Sequence, residues 1–131
     1  SNAERDKEVS SQTDDRQGML TSLVEQHSSI MYTDAGMNQT KKKAGVGIIA
    51  KDNNGRILAT WSIPYSGARD AAELEAIAIR TALSKAIEEN MSSLLILSNC
   101  KAVVDRINVG CQGLNSLDML IEDIRQLSRS F

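Results

Sequence analysis

Apolar and polar positions change rhythm several times along the chain, and each change predicts an element. Residues 4–17 are charged and polar without a period, which predicts a solvated tail. Met19, Leu20, Leu23 and Val24 then recur at the spacing of one helical face and predict a short docked helix. Ile30-Met31-Tyr32-Thr33-Asp34 reads as a strand that ends in an acid. Beyond the polar loop Asn38-Gln39-Thr40-Lys41-Lys42-Lys43 comes Ala44-Gly45-Val46-Gly47-Ile48-Ile49-Ala50, a β run whose glycines thin one face. Asp52-Asn53-Asn54-Gly55 predicts a tight turn, because Asn and Gly accept positive φ at little cost. Residues 56–63 return as a third strand, antiparallel to the second.

The period lengthens at Asp70. Asp70-Ala71-Ala72-Glu73 has the form of a helix start, an N-cap with Glu three residues on. Ala72, Ala76, Ile79, Leu83 and Ala86 line one stripe of the helix that follows, widened by Leu74, Ile77, Ala78 and Thr81. Leu94-Leu95-Ile96-Leu97 is a short unbroken apolar run, the pattern of a strand covered on both faces. Residues 101–108 predict a short helix stopped by Gly110, and Ser116 is the expected cap of a final helix with Leu117, Leu120, Ile121, Ile124 and Leu127 buried. The order β-β-β-α-β-α-α predicts an α/β fold: a mixed sheet of three antiparallel strands plus a parallel strand, with flanking helices. The long helix lets the last strand lie parallel to the first, so both strand ends face one crevice.

At 131 residues the chain fits one domain with one core. Residues 1–28 are expected as a tail with the short helix, and residues 29–131 as the domain. Ser1-Asn2-Ala3 matches the scar left by tag removal and is set aside. Aromatic residues make up 3%, so the core must rest on aliphatic side chains, and a stacking platform for single strands is disfavoured. The net charge is −2, so any nucleic-acid affinity must come from a local basic patch. No apolar run is long enough to cross a bilayer. Cys100 and Cys111 make neither a disulfide framework nor a metal cluster, and are expected as reduced thiols of an intracellular protein.

The predicted strand order sets Asp34 beside Asn99, with Glu73 reaching in from the helix N-terminus. Carboxylates that converge in this way can hold divalent metals for phosphodiester chemistry. Each acid also has a plainer reading. Asp34 can initiate a turn with Gly36. Glu73 can bond back to the N-cap amide, worth about 1 kcal/mol, with Glu75 a lesser substitute as a ligand. Lys41, Lys42 and Lys43 suit either a solvated loop or contact with phosphates. His27 is expected to be exposed, with no nucleophile to serve.

Four segments together resemble the ribonuclease H fold, in particular the reverse-transcriptase-like ribonuclease H domains common in plants. They are Tyr32-Thr33-Asp34-Ala35-Gly36; Ala44-Gly45-Val46-Gly47-Ile48-Ile49 with Asn54-Gly55; Ala72-Glu73-Leu74-Glu75-Ala76; and the run Leu97-Ser98-Asn99-Cys100-Lys101-Ala102-Val103-Val104-Asp105. The resemblance spans residues 30–131. It implies cleavage of RNA in an RNA–DNA hybrid by two divalent metals, Mg²⁺ or Mn²⁺, held by four acids. Asp34 resembles the first-strand acid and Glu73 the helix acid. Where the family motif reads Ser-Asp-Ser-Lys-Ala, this chain reads Ser98-Asn99-Cys100-Lys101-Ala102. The family's late acid belongs to a last strand and helix for which no segment after residue 131 is present.

The expectation is therefore a ribonuclease H-like nucleic-acid-binding domain, impaired or inactive as a nuclease, taking RNA–DNA hybrid or RNA. The alternative is a non-catalytic protein-interaction or dimerisation scaffold. With no last strand, Leu94–Leu97 is expected as an open sheet edge for a partner strand or a second copy, unless the segment around 19–24 covers the gap.

Overall fold

The computed structural model describes residues 6–12, 18–38, 40–41, 43–111 and 113–131. In chain order the elements are β1 (Asp6–Ser11), α1 (Met19–Gln26), β2 (Ser29–Asn38), β3 (Lys43–Lys51), β4 (Ile57–Tyr65), α2 (Ala71–Glu88), β5 (Ser93–Ser98), α3 (Lys101–Val109) and α4 (Ser116–Ser130). The strands form one sheet in the order β1-β5-β2-β3-β4. The pairs β2–β3 and β3–β4 are antiparallel, as expected of the tight turn between β3 and β4. The Asp52 carboxylate builds that turn, accepting from the Asn54 and Arg56 N–H groups at 2.9 Å, and Gly55 takes φ 85°. β5 lies parallel to β2, as the long α2 crossover predicts.

One expectation is corrected. The edge of β5 is not open, because β1 pairs with it in parallel from Asp6↔Ser93 to Ser11↔Ser98. Part of the expected tail is thus a fifth strand, while its residues 1–5 and 13–17 lie outside the described residues. Strand pairing satisfies backbone groups whatever the side chains are, so Lys7 and Glu8 stay exposed while β1 completes the ladder. Val9 packs against the core, and the Asn108 side-chain amide donates to its carbonyl at 3.1 Å.

Alternation along the strands separates two layers. Met31, Ile48, Ala50, Leu94 and Ile96 face α2 and α4 and pack with Ile79, Leu83, Ile121 and Ile124. Burying each such aliphatic side chain contributes roughly 1.5–3 kcal/mol. Alanines at 76, 82 and 86, all wholly buried, let α2 lie close to the sheet. On the other face Ile30, Leu95 and Leu97 meet Leu20, Leu23 and Val24 of α1, which forms where its apolar spacing predicts. α1 covers β5 and β2 but leaves β3 and β4 open, with Ile49 and Leu58 exposed.

Two smaller expectations change. His27 is buried, not exposed: it ends α1, and its ring Nδ1 lies 2.7 Å from the Leu23 carbonyl. The cap of α4 is Asn115, one residue before Ser116. Its side chain accepts from the Asp118 N–H at 2.8 Å while Asp118 bonds back to the Asn115 N–H, a reciprocal capping box.

Candidate functional site

Ile30, Tyr32 and Asp34 alternate onto the α1 face of β2, and α1 stops short of the last of them. Asp34 pairs across the ladder with Gly47 of β3, which pairs with Ser62 of β4. On its other side Thr33 pairs with Ser98, so Asn99 follows one step further, level with Asp34. On β1 Ser11 pairs with Ser98, and Gln12 follows in the same way. Gln12, Asn99, Asp34, Gly47 and Ser62 therefore form one transverse row over all five strands. All five line the same groove of about 540 Å³.

Two further hollows continue it along the strands. Asp34, Gly47 and Ser62 also border one that reaches Gly36, Gly45 and Pro64. Gly36 and Gly45 in turn border one that ends at Asn38 and Lys43. The alternation that puts Gly45 and Gly47 on this face also puts Lys43 there, roughly 13 Å from Gly47 at strand rise. A Cβ added at Gly36 or Gly47 would meet nothing within 4 Å, and neither has positive φ. Neither packing nor backbone conformation demands glycine there. What glycine does provide is an approach to the bare backbone beside Asp34.

The carboxyl end of β5 is held from both sides. The Gln12 N–H donates to the Ser98 carbonyl at 2.8 Å, and its side-chain amide reaches the Leu97 carbonyl at 3.5 Å. From β2 the Thr33 hydroxyl donates to the same Leu97 carbonyl at 3.3 Å. Asn99 leaves the sheet between these clamps and is exposed.

Acids approach this end from α2. The Asp70 carboxylate caps the helix by accepting from the Glu73 N–H at 2.9 Å, so the capping half of the sequence pattern is formed. Glu73 and Glu75 are both buried, but Glu75 is the one whose partners lie at the strand ends. The Ser98 hydroxyl donates to Glu75 Oε2 at 3.4 Å and accepts from the Cys100 N–H at 3.1 Å. Burial foremost, and then the charge of Asp34, raise the Glu75 carboxyl above its ordinary value of 4.5, against the hydrogen bonds from Ser98 and the Ala35 amide. The same Ala35 amide donates to Asp34 Oδ1 at 3.0 Å. Of the expected residues, Asp34 and Asn99 are brought together, whereas Glu73 lines neither of the two hollows described beside Asp34. Lys41 is exposed in the loop, its N–H bonded to Asn38 Oδ1 at 3.0 Å, and Lys43 opens β3. Lys42 lies outside the described residues.

The donors do not fit a pair of divalent ions. Among the described residues no group of three or more His, Cys, Asp or Glu side chains could hold a metal ion. Two ions about 3.5–4 Å apart need several anionic ligands. Here Asp34 brings one charge, Asn99 brings none, and neither Glu73 nor Glu75 lines the two hollows described beside Asp34.

Gln12, Gly47 and Ser62 were not singled out from the sequence. The signal for Gly47 was present, a glycine inside a strand pattern, but nothing in the polar segment around Gln12 marks a strand. No helix among the described residues is long and apolar enough to cross a membrane.

The fold is similar to that of RNase H1 from the halophilic archaeon Halobacterium salinarum NRC-1, with TM-score 0.70 and 18% identity, covering 79% of this chain and 78% of that one. The N-terminal RNase H domain of a Mycobacterium tuberculosis protein gives TM-score 0.67 and 17% identity, covering 80% and 76%. LC11-RNase H1, isolated from compost by a metagenomic approach and solved with an RNA/DNA hybrid, gives 0.66 and 20%, covering 78% and 77%. At such identities the likeness establishes a ribonuclease H fold. No curated protein matches the chain. The reverse transcriptase-like family matches residues 32–131, and the chain belongs to that family.

Proposed function

We propose that this chain is a nucleic-acid-binding ribonuclease H-like domain that takes RNA–DNA hybrid across the open face of β2, β3 and β4, without two-metal hydrolysis. The observation that carries this reading is the transverse row, in which Asn99 stands beside Asp34 where the family resemblance has a second acid. At most one Mg²⁺ or Mn²⁺ would bind there, weakly, through the Asp34 carboxylate and the Asn99 amide oxygen. Binding needs less than catalysis does. The groove offers hydrogen-bonding groups near Asp34 and a cation, Lys43, at its far end, with Lys41 exposed in the loop just before β3. The hybrid bound by LC11-RNase H1 supports the substrate class.

The strand-pairing form of the scaffold alternative needs an open β5 edge, and β1 occupies that edge. The test is a salt titration of binding to a labelled hybrid duplex. The expected outcome is an affinity that falls linearly with salt on logarithmic axes. Absence of measurable binding even at low salt would overturn the reading.

A further inference from the structure

We propose that Gln12, paired with Asn99, reads the ribose 2′-hydroxyl of the RNA strand, which makes β1 the specificity-determining wall of the groove. This rests on the hybrid-binding reading above and names the residue that would separate RNA from DNA. Gln12 lies outside residues 32–131, so the family match says nothing of it.

Three observations support this role. The first is position: Gln12 ends the row that runs through Asn99 and Asp34, in the same groove. The second is chemistry. The row holds two neutral amides and a serine hydroxyl, and its single charged side chain is an acid. Among the described residues that line the groove, a phosphate there would meet Asp34 and no cation. A 2′-hydroxyl both donates and accepts, and is the group that distinguishes RNA from DNA. It can donate to Asp34 or an amide oxygen and accept from an amide N–H. The third is availability. The Gln12 side chain holds the Leu97 carbonyl at 3.5 Å, the long limit of a hydrogen bond, and Thr33 already donates to that carbonyl. The amide can turn to a ligand without stranding a buried acceptor, while the 2.8 Å backbone bond to Ser98 keeps Gln12 in register.

The test compares the full chain with Gln12→Ala on three duplexes of one sequence: RNA–DNA hybrid, hybrid with a 2′-O-methyl RNA strand, and DNA. The wild type should prefer the hybrid to DNA and bind the methylated hybrid more weakly. Gln12→Ala should lose about five- to tenfold on the hybrid, the loss of one hydrogen bond. It should bind DNA as before and no longer sense methylation. Its melting temperature should match the wild type, since the backbone bond of Gln12 survives. An unchanged hybrid-to-DNA ratio, or an equal loss on all three duplexes, would overturn the proposal while leaving hybrid binding intact. A wild type that binds none of the duplexes would overturn both readings.

Discussion

The two faces of the sheet are built from alternate residues of the same strands, yet they have opposite character. Toward α2 and α4 stand Met31, Ile48 and Ile96, each at most 1% exposed. Toward α1 the packing ends at Tyr32, and beyond it Asp34, Gly47, Ser62 and Asn99 line an open groove. The closed face supplies burial energy and fixes register. The open face uses that register to set polar groups in a row without packing demands of its own. Stability and binding should therefore separate by parity along each strand.

The largest expected effect comes from the closed face. Ile96→Ala should cost about 2–5 kcal/mol in chemical denaturation and leave the hybrid affinity of the folded fraction unchanged. On the open face Gly47→Ala should do the reverse. Stability should hold or rise by about 0.5–1 kcal/mol, since the added methyl meets nothing and glycine is poor in a strand. Hybrid affinity should fall about tenfold as the methyl rises between Asp34 and Ser62, roughly 1.4 kcal/mol of lost contact. A stability loss there, or undiminished binding, would break the parity rule.

A subtler effect is expected at the basic end. Replacing Lys41 and Lys43 together with alanine should reduce the salt slope of binding by about 2 if each holds a phosphate. The smallest effect concerns Glu75, on the closed side of the strand ends. The folded chain holds its proton more tightly than the unfolded chain, so stability falls as pH rises from 4.5 toward the raised value. Below 4.5 the carboxyl is protonated in both states and the penalty is absent. Glu75→Gln should thus match the wild type in acid and exceed it in stability at neutral pH, measured by urea unfolding at each pH.

How far the sequence reaches follows the same division. β2, α2 and the turn at Asp52 were legible because burial and capping leave periodic or chemical marks in the chain. The pairing of Asp34 with Asn99 followed from strand order alone. β1 left no such mark: Val9 is its one apolar residue, and its place is set by backbone pairing with β5. His27 was illegible for a related reason, since only docking of α1 buries it. The two acids of α2 were both visible, but which one meets the strand ends depends on how the helix is rotated on the sheet. That rotation comes from close packing at Ala76, Ala82 and Ala86, not from any local motif.

The central claim is that Asp34 beside Asn99 supports binding of hybrid without cutting it. The most direct measurement incubates the full chain with labelled RNA–DNA hybrid in Mg²⁺ and in Mn²⁺, and follows bound and cleaved fractions in the same samples. Bound, intact hybrid is expected in both metals. Multiple-turnover cleavage that disappears in Asp34→Asn would contradict it.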